Sequence, residues 1–137
     1  AGHGLGLGAV EVVAAFYQSV VTGGTRPRYD WKTERGSGEA KLCVTAADLP
    51  EKAELWRAAA ASRDFRGAKW SATPLAAAAD GRFTAALAVP TEGYEAFYIS
   101  PTYKGPTGQS YTLCTNVEVV GERARVVAKP DGAETTR

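Results

Sequence analysis

The chain has 137 residues, 45% hydrophobic and 23% charged, with a formal net charge of +1. That is enough for one domain with a working core, or one domain plus an appendage, and the charge balance provides neither a basic field for nucleic acid nor an acidic tail. No apolar run approaches the roughly 20 residues needed to span a bilayer, and one histidine with two distant cysteines, Cys43 and Cys114, makes neither a CxxC pair nor a zinc ligand set.

The chain opens on Ala1-Gly2-His3-Gly4-Leu5, which holds the only histidine. A histidine in a glycine-rich loop just ahead of a helix suits a general base, because the loop can present the imidazole to a serine hydroxyl. In α/β-hydrolases the histidine comes last of the triad, so both partners of His3 would lie upstream. On spacing alone an ordinary loop or N-terminal histidine is the favoured reading of His3. A chain with no methionine that starts inside such a loop is expected to be a truncated or processed piece. The first ten residues carry no Lys or Arg and do not read as a secretory signal. Gly4, Gly6 and Ala9 imitate a dinucleotide fingerprint, but that motif needs a strand before it, and Asp30 follows Pro27 instead of ending a buried strand.

A helix is predicted over 9–22. Val10, Val13, Ala14, Tyr17, Val20 and Val21 fall on one helical face, and Val12 and Phe16 widen the stripe. A helix this apolar needs cover on more than one side, which implies a neighbour beyond the sandwich that follows. Gly23-Gly24 end it, with Pro27 shortly after.

From Tyr29 the period becomes alternating. Seven strands are predicted, near 29–34, 40–45, 53–60, 70–77, 82–89, 94–103 and 110–120, with Ala58–Ala61 the stretch most open to a helical reading. Pro74 marks an edge or a bulge. Asp80-Gly81 reads as a two-residue hairpin turn, Pro90-Thr91-Glu92-Gly93 as another turn, and 104–109 as a hairpin loop. In the last strand Tyr111, Leu113, Thr115, Val117 and Val119 are expected to share a face. Seven short strands with turns every 8–12 residues describe an immunoglobulin-like or fibronectin-III-like sandwich. Trp56 is expected as its central core aromatic and Tyr94 as a tyrosine corner. Residues 122–137 read as a strand extension or a disordered tail. Both thiols lie out of phase with their strands' apolar positions, so a core-spanning disulfide is disfavoured.

Trp31, Trp56, Trp70, Tyr94, Tyr98, Tyr103 and Tyr111 invite a carbohydrate-binding reading, with Tyr103 and Tyr111 as the best members of an exposed platform, although sandwich aromatics are more often core. The acid pairs Glu51/Glu54 and Glu92/Glu95 read as solvated charges rather than a glycosidase pair.

The His3 loop and its apolar helix, then Trp56, Arg63-Asp64-Phe65-Arg66, Trp70, Gly93-Tyr94-Glu95-Ala96-Phe97-Tyr98 and Pro101-Thr102-Tyr103, together resemble the C-terminal part of the PhoPQ-activated pathogenicity-related protein family. The resemblance runs from Ala1 to about Val120. It implies an α/β-hydrolase-like domain closing over residues 1–26, a β-sandwich over 27–121, and an exported or periplasmic parent. It makes His3 the triad histidine. The nucleophile and the acid have no counterpart in this chain, which is therefore expected to be inactive alone, with the upstream hydrolase-like domain as its partner and no cofactor or metal. Trp56, Arg63, Asp64, Phe65, Arg66, Trp70 and Tyr94 are expected in structural roles, with Asp64 paired to a neighbouring arginine and Phe65 plugging the sandwich edge. The other reading is a non-catalytic sandwich that binds a carbohydrate or protein ligand, or packs between domains.

Overall fold

The computed structural model describes residues 7–24, 26–36 and 38–121. It contains one helix, α1 (Leu7–Thr22), and eight strands: β1 (Tyr29–Arg35), β2 (Glu39–Ala46), β3 (Lys52–Ala60), β4 (Ser71–Leu75), β5 (Arg82–Ala88), β6 (Tyr94–Lys104), β7 (Ser110–Thr112) and β8 (Glu118–Gly121). The protein is mainly β. Two antiparallel sheets form, one ordered β1-β2-β5 and the other β4-β3-β6-β7, with β8 also paired to β6. The Ala58–Ala60 stretch is strand despite alanine's helix propensity, because Ala58 and Ala60 pair with Ala96 and Tyr94; sheet context overrides local preference.

Side-chain alternation sets the core. Ala40, Leu42 and Val44 of β2 and Phe83, Ala85 and Leu87 of β5 point inward from the three-stranded sheet. They meet Ala53, Phe97, Ile99 and Val120 of the other sheet, with Tyr29, Trp31 and Leu55 packed around them. At one edge Glu118 ties the sheets together. Its carboxylate accepts a hydrogen bond from the Thr33 hydroxyl at 2.9 Å and one from the Arg35 guanidinium at 2.5 Å.

Three expectations change. Trp56 is not the core aromatic: it is half-buried and faces Tyr98 across the β3–β6 pair, on the opposite side of β3 from Ala53 and Leu55, and the rings buried between the sheets are Phe83 and Phe97. Asp80-Gly81 does not close a hairpin. The turn is tight, with Gly81 at φ 79° and its N–H donating to the Ala78 carbonyl, but β4 pairs with β3 and β5 with β2, so the turn ends a crossover between sheets. The predicted final strand is interrupted. Thr112 faces Thr102 while Glu118 faces Phe97, so six steps on one strand oppose five on the other. That extra residue is a bulge, and it flips the side-chain phase. Val117 is therefore exposed, and Val120, rather than Val119, enters the core. Pro74 sits in β4, the outermost strand of its sheet, where a missing N–H costs least.

Two glycines are fixed by geometry. Gly93 has φ 70° in the turn before β6, and a Cβ there would lie 2.7 Å from the Ala60 carbonyl oxygen; a Cβ on Gly121 would lie 2.5 Å from the Tyr94 ring.

Phe97 is fully buried between the sheets, so Phe97→Ala should destabilise the fold by about 3–5 kcal/mol, the cost of lost transfer and a residual cavity. Urea unfolding monitored by circular dichroism measures this, and a loss below about 1 kcal/mol would mean that the sheets do not close on this ring.

Candidate functional site

Two surfaces gather chemistry. The first lies where α1 meets the sandwich. The helix ends at Gly23, whose φ of 71° provides a left-handed stop. Val12 and Ala15 pack on Tyr103, Tyr111 and Leu113 at the β6–β7 end of the sandwich, so Tyr103 and Tyr111 are only 5% and 9% exposed. They are not members of an exposed platform, because the helix covers them. Beside this contact is a cleft of about 630 Å³, walled by Phe16, Pro27, Pro106 and Tyr111 with Arg26 and Lys104 among its lining. The Arg26 guanidinium lies over the Phe16 ring at 5.1 Å.

The face of α1 that the periodicity singled out is not the face that packs. Val10, Val13, Tyr17, Val20 and Val21 are each 59–67% exposed. The helix seats its narrower side, Val12, Ala15 and the buried Ser19, on the sandwich, and turns the main stripe to solvent.

The Tyr103 hydroxyl donates to the Asp48 carbonyl at 2.9 Å. Burial, followed by Tyr29, Asp48 and Tyr111, pushes its pKa up to about 12. Tyr29 and Tyr111 are shifted the same way, chiefly by burial. These phenols are hydrogen-bond donors at ordinary pH and do not serve as bases.

The second surface is the outer face of the larger sheet. The Trp56 and Tyr98 rings are parallel within 5° at a centroid distance of 6.2 Å. Trp70 leans on Tyr98 at 5.5 Å, and Phe65 on Trp70 at 6.3 Å. The small residues Ala58 and Ala96 on this same face are buried. All four rings are half-buried. Burial, then the nearby Cys114 and Glu54, raises the Tyr98 pKa. In the loop between β3 and β4, Arg66 grips Asp64 with two side-chain bonds of 2.8 and 2.5 Å, which holds the Asp64 carboxyl below its usual range.

Arg63 lies over the Tyr94 ring at 5.7 Å. No hydrogen bond from the Tyr94 hydroxyl is found among the described residues, so the tyrosine-corner role is not realised there; the ring instead packs against Gly121. Cys43 and Cys114 are free thiols. No cluster of three or more metal-ligating side chains exists among the described residues. No described helix is long and apolar enough to cross a membrane. His3 lies outside the described residues, as does the tail from 122 onward. The sequence places Trp56, Trp70 and Tyr98 among seven candidate aromatics and Phe65 apart from them, but does not single out these four as one face. The signal was available: Trp56 is out of phase with Ala53 and Leu55.

A two-sheet β-sandwich with a helix laid across one end is therefore the class of structure. The family model described as PhoPQ-activated pathogenicity-related protein matches residues 1–66, just under half the chain, and bears out the resemblance read from the sequence. The matched segment includes His3, α1, the first three strands and Arg63-Asp64-Phe65-Arg66. No curated protein matches the chain. Among solved structures, one titled "Crystal structure of Br derivative BhCBM56" superposes with a TM-score of 0.45 and 13% identity, covering 72% of this chain and 96% of that one; a likeness at that level carries no functional inference.

The alkaline behaviour of the protein should report the tyrosine cluster. An unfolded phenol ionises from about pH 10, while folded Tyr103 keeps its proton to about pH 12. The folded state then binds more protons, so stability falls as pH rises through this window. Tyr103→Phe should cost about 1 kcal/mol at neutral pH by deleting the bond to Asp48 and should flatten the alkaline fall. Urea midpoints at neutral and alkaline pH check both effects; an unchanged alkaline slope would mean that Tyr103 titrates as in water.

Proposed function

We propose that the chain is the C-terminal part of a serine hydrolase-like protein, in which residues 1–26 complete an α/β-hydrolase-like domain and 27–121 form an accessory sandwich. The observation that carries this reading is the apolar stripe of α1. Five large side chains, Val10, Val13, Tyr17, Val20 and Val21, stand in solvent on a helix that already packs its other side. A contiguous apolar face of this kind marks a missing partner, and the upstream hydrolase-like domain is that partner. The family match over α1 and the loop before it supports the same assignment.

In this reading His3 is the general base. Its imidazole takes the proton from an upstream serine hydroxyl as that oxygen attacks an ester or peptide-like carbonyl, then returns it to the leaving group. An upstream Asp or Glu fixes the imidazole tautomer. The chain alone has neither partner and is inactive. The sandwich is fibronectin-III-like; a three-stranded sheet of first, second and fifth strands facing a larger sheet supports this finer assignment. Export of the parent follows the family resemblance.

Replacing His3 with Ala in the longer protein should slow labelling by a fluorophosphonate probe by at least about a thousandfold. Labelling at the wild-type rate would remove His3 from the mechanism.

A further inference from the structure

The outer face of the β4-β3-β6-β7 sheet has features that the hydrolase reading leaves unused. Solvent faces of sheets ordinarily carry polar residues. This one carries Trp56, Tyr98 and Trp70 in mutual contact, with Phe65 behind them. The parallel Trp56 and Tyr98 rings are too far apart for full face-to-face overlap and are offset, so part of a ring face remains open.

The polar atoms of these rings are uncommitted. An indole N–H can only donate, and a phenol hydroxyl can donate and accept. Neither tryptophan N–H nor the Tyr98 hydroxyl has a protein hydrogen-bond partner among the described residues, and none is a sealed, unsatisfied group. Beyond the rings on the same face stand Glu54 and then Lys52, whose cross-strand partners Ser100 and Thr102 are buried, with their hydroxyls bonded to the Leu113 carbonyl and the Thr112 hydroxyl. The ion-pair partner of the Glu54 carboxylate among the described residues is Lys52, at 3.8 Å, and Tyr98 also lies near it.

The charges select the ligand. Lys52 pairs with Glu54 and Arg66 with Asp64, while Arg63 lies over the Tyr94 ring and Lys69, next to Trp70, is exposed. That small positive excess falls short of the clustered basic residues with which a lipid surface or nucleic acid is held. What remains is an aromatic surface edged by donors and acceptors, which complements a neutral ring with an apolar face and a hydroxyl rim.

We propose that Trp56, Trp70 and Tyr98 form a binding platform for a neutral polysaccharide, with pyranose rings lying on the aromatic surface and their hydroxyls meeting the Tyr98 hydroxyl and the Glu54 carboxylate. This platform does not depend on the role of His3. It would hold the chain on a glycan whether or not an upstream domain is active.

The test is native gel electrophoresis of the 137-residue chain through gels containing a soluble neutral β-glucan, a neutral α-glucan, a neutral xylan or mannan, or anionic polygalacturonate. Retardation is expected on at least one neutral polymer, undiminished by added salt, and not on polygalacturonate. Trp56→Ala and Tyr98→Ala should each weaken it at least about tenfold, whereas Trp56→Phe, which keeps a ring, should lose less. Tyr17→Ala on α1 should bind as wild type. Circular dichroism and thermal unfolding establish that each variant is folded; should Trp56→Ala fail to fold, Glu54→Gln and Trp56→Phe still report on the site. Retardation by no neutral polymer overturns the proposal. So does equal retardation of wild type, Trp56→Ala and Tyr98→Ala, or a lower thermal midpoint in the ring variants of a chain that binds nothing. A concentration-dependent dimer abolished by Trp56→Ala, without glycan retardation, would assign the face to protein contact instead.

Discussion

The two inner faces of the sandwich must present their apolar side chains in phase, and the rest of the structure depends on that constraint. Leu42 and Val44 on β2, Phe83 and Leu87 on β5, and Phe97 and Ile99 on β6 close one continuous interior. Because the period of a strand is two, committing these residues to the inside commits their neighbours to the outside. Cys43 and Thr84 are thereby placed side by side on the outer side of one sheet, and Trp56 and Tyr98 on the outer side of the other. The aromatic face follows from core phase as much as from the rings themselves.

The same constraint explains the bulge before β8. Tyr111 and Leu113 follow the inward phase of Tyr103 and Pro101. Continued without interruption, that phase would point Val117 inward and Val120 outward. The extra residue reverses it, so that Val120 fills the core while Glu118 reaches across to Thr33 and Arg35. A regular seventh strand would have lost the tie between sheets.

Much of this was legible in the sequence. Alternation located the first six strands to within a few residues but merged β7 and β8 into one, and the thiols' outward phase followed from Leu42 and Val44 around one and Leu113 and Thr115 around the other. The bulge was not legible, because one inserted residue leaves both halves alternating. Trp56 was misplaced for a different reason: its size suggested the core, while its spacing from Ala53 and Leu55 pointed outward. Tyr103 and Tyr111 looked exposed because they flank a hairpin loop, and the docking of Val12 and Ala15, together with Tyr29 and Leu113, hides them. The helix pattern was read correctly as a wide apolar surface, but which side would meet the sandwich was not contained in the periodicity. His3, on which the catalytic reading rests, was singled out by its surroundings in sequence alone.

The exposed stripe of α1 is where the account is most open to direct contradiction. Amide hydrogen exchange across α1 should be measured in this chain and in a longer chain that carries the proposed upstream hydrolase-like domain. The account predicts that α1 amides in the isolated chain exchange far faster than those of β2 and β6, and that they become as protected as those strands when the upstream domain is present. Protection of α1 equal to that of β6 in the monomeric isolated chain would show that the sandwich alone stabilises the helix, and would contradict its assignment to a neighbouring domain.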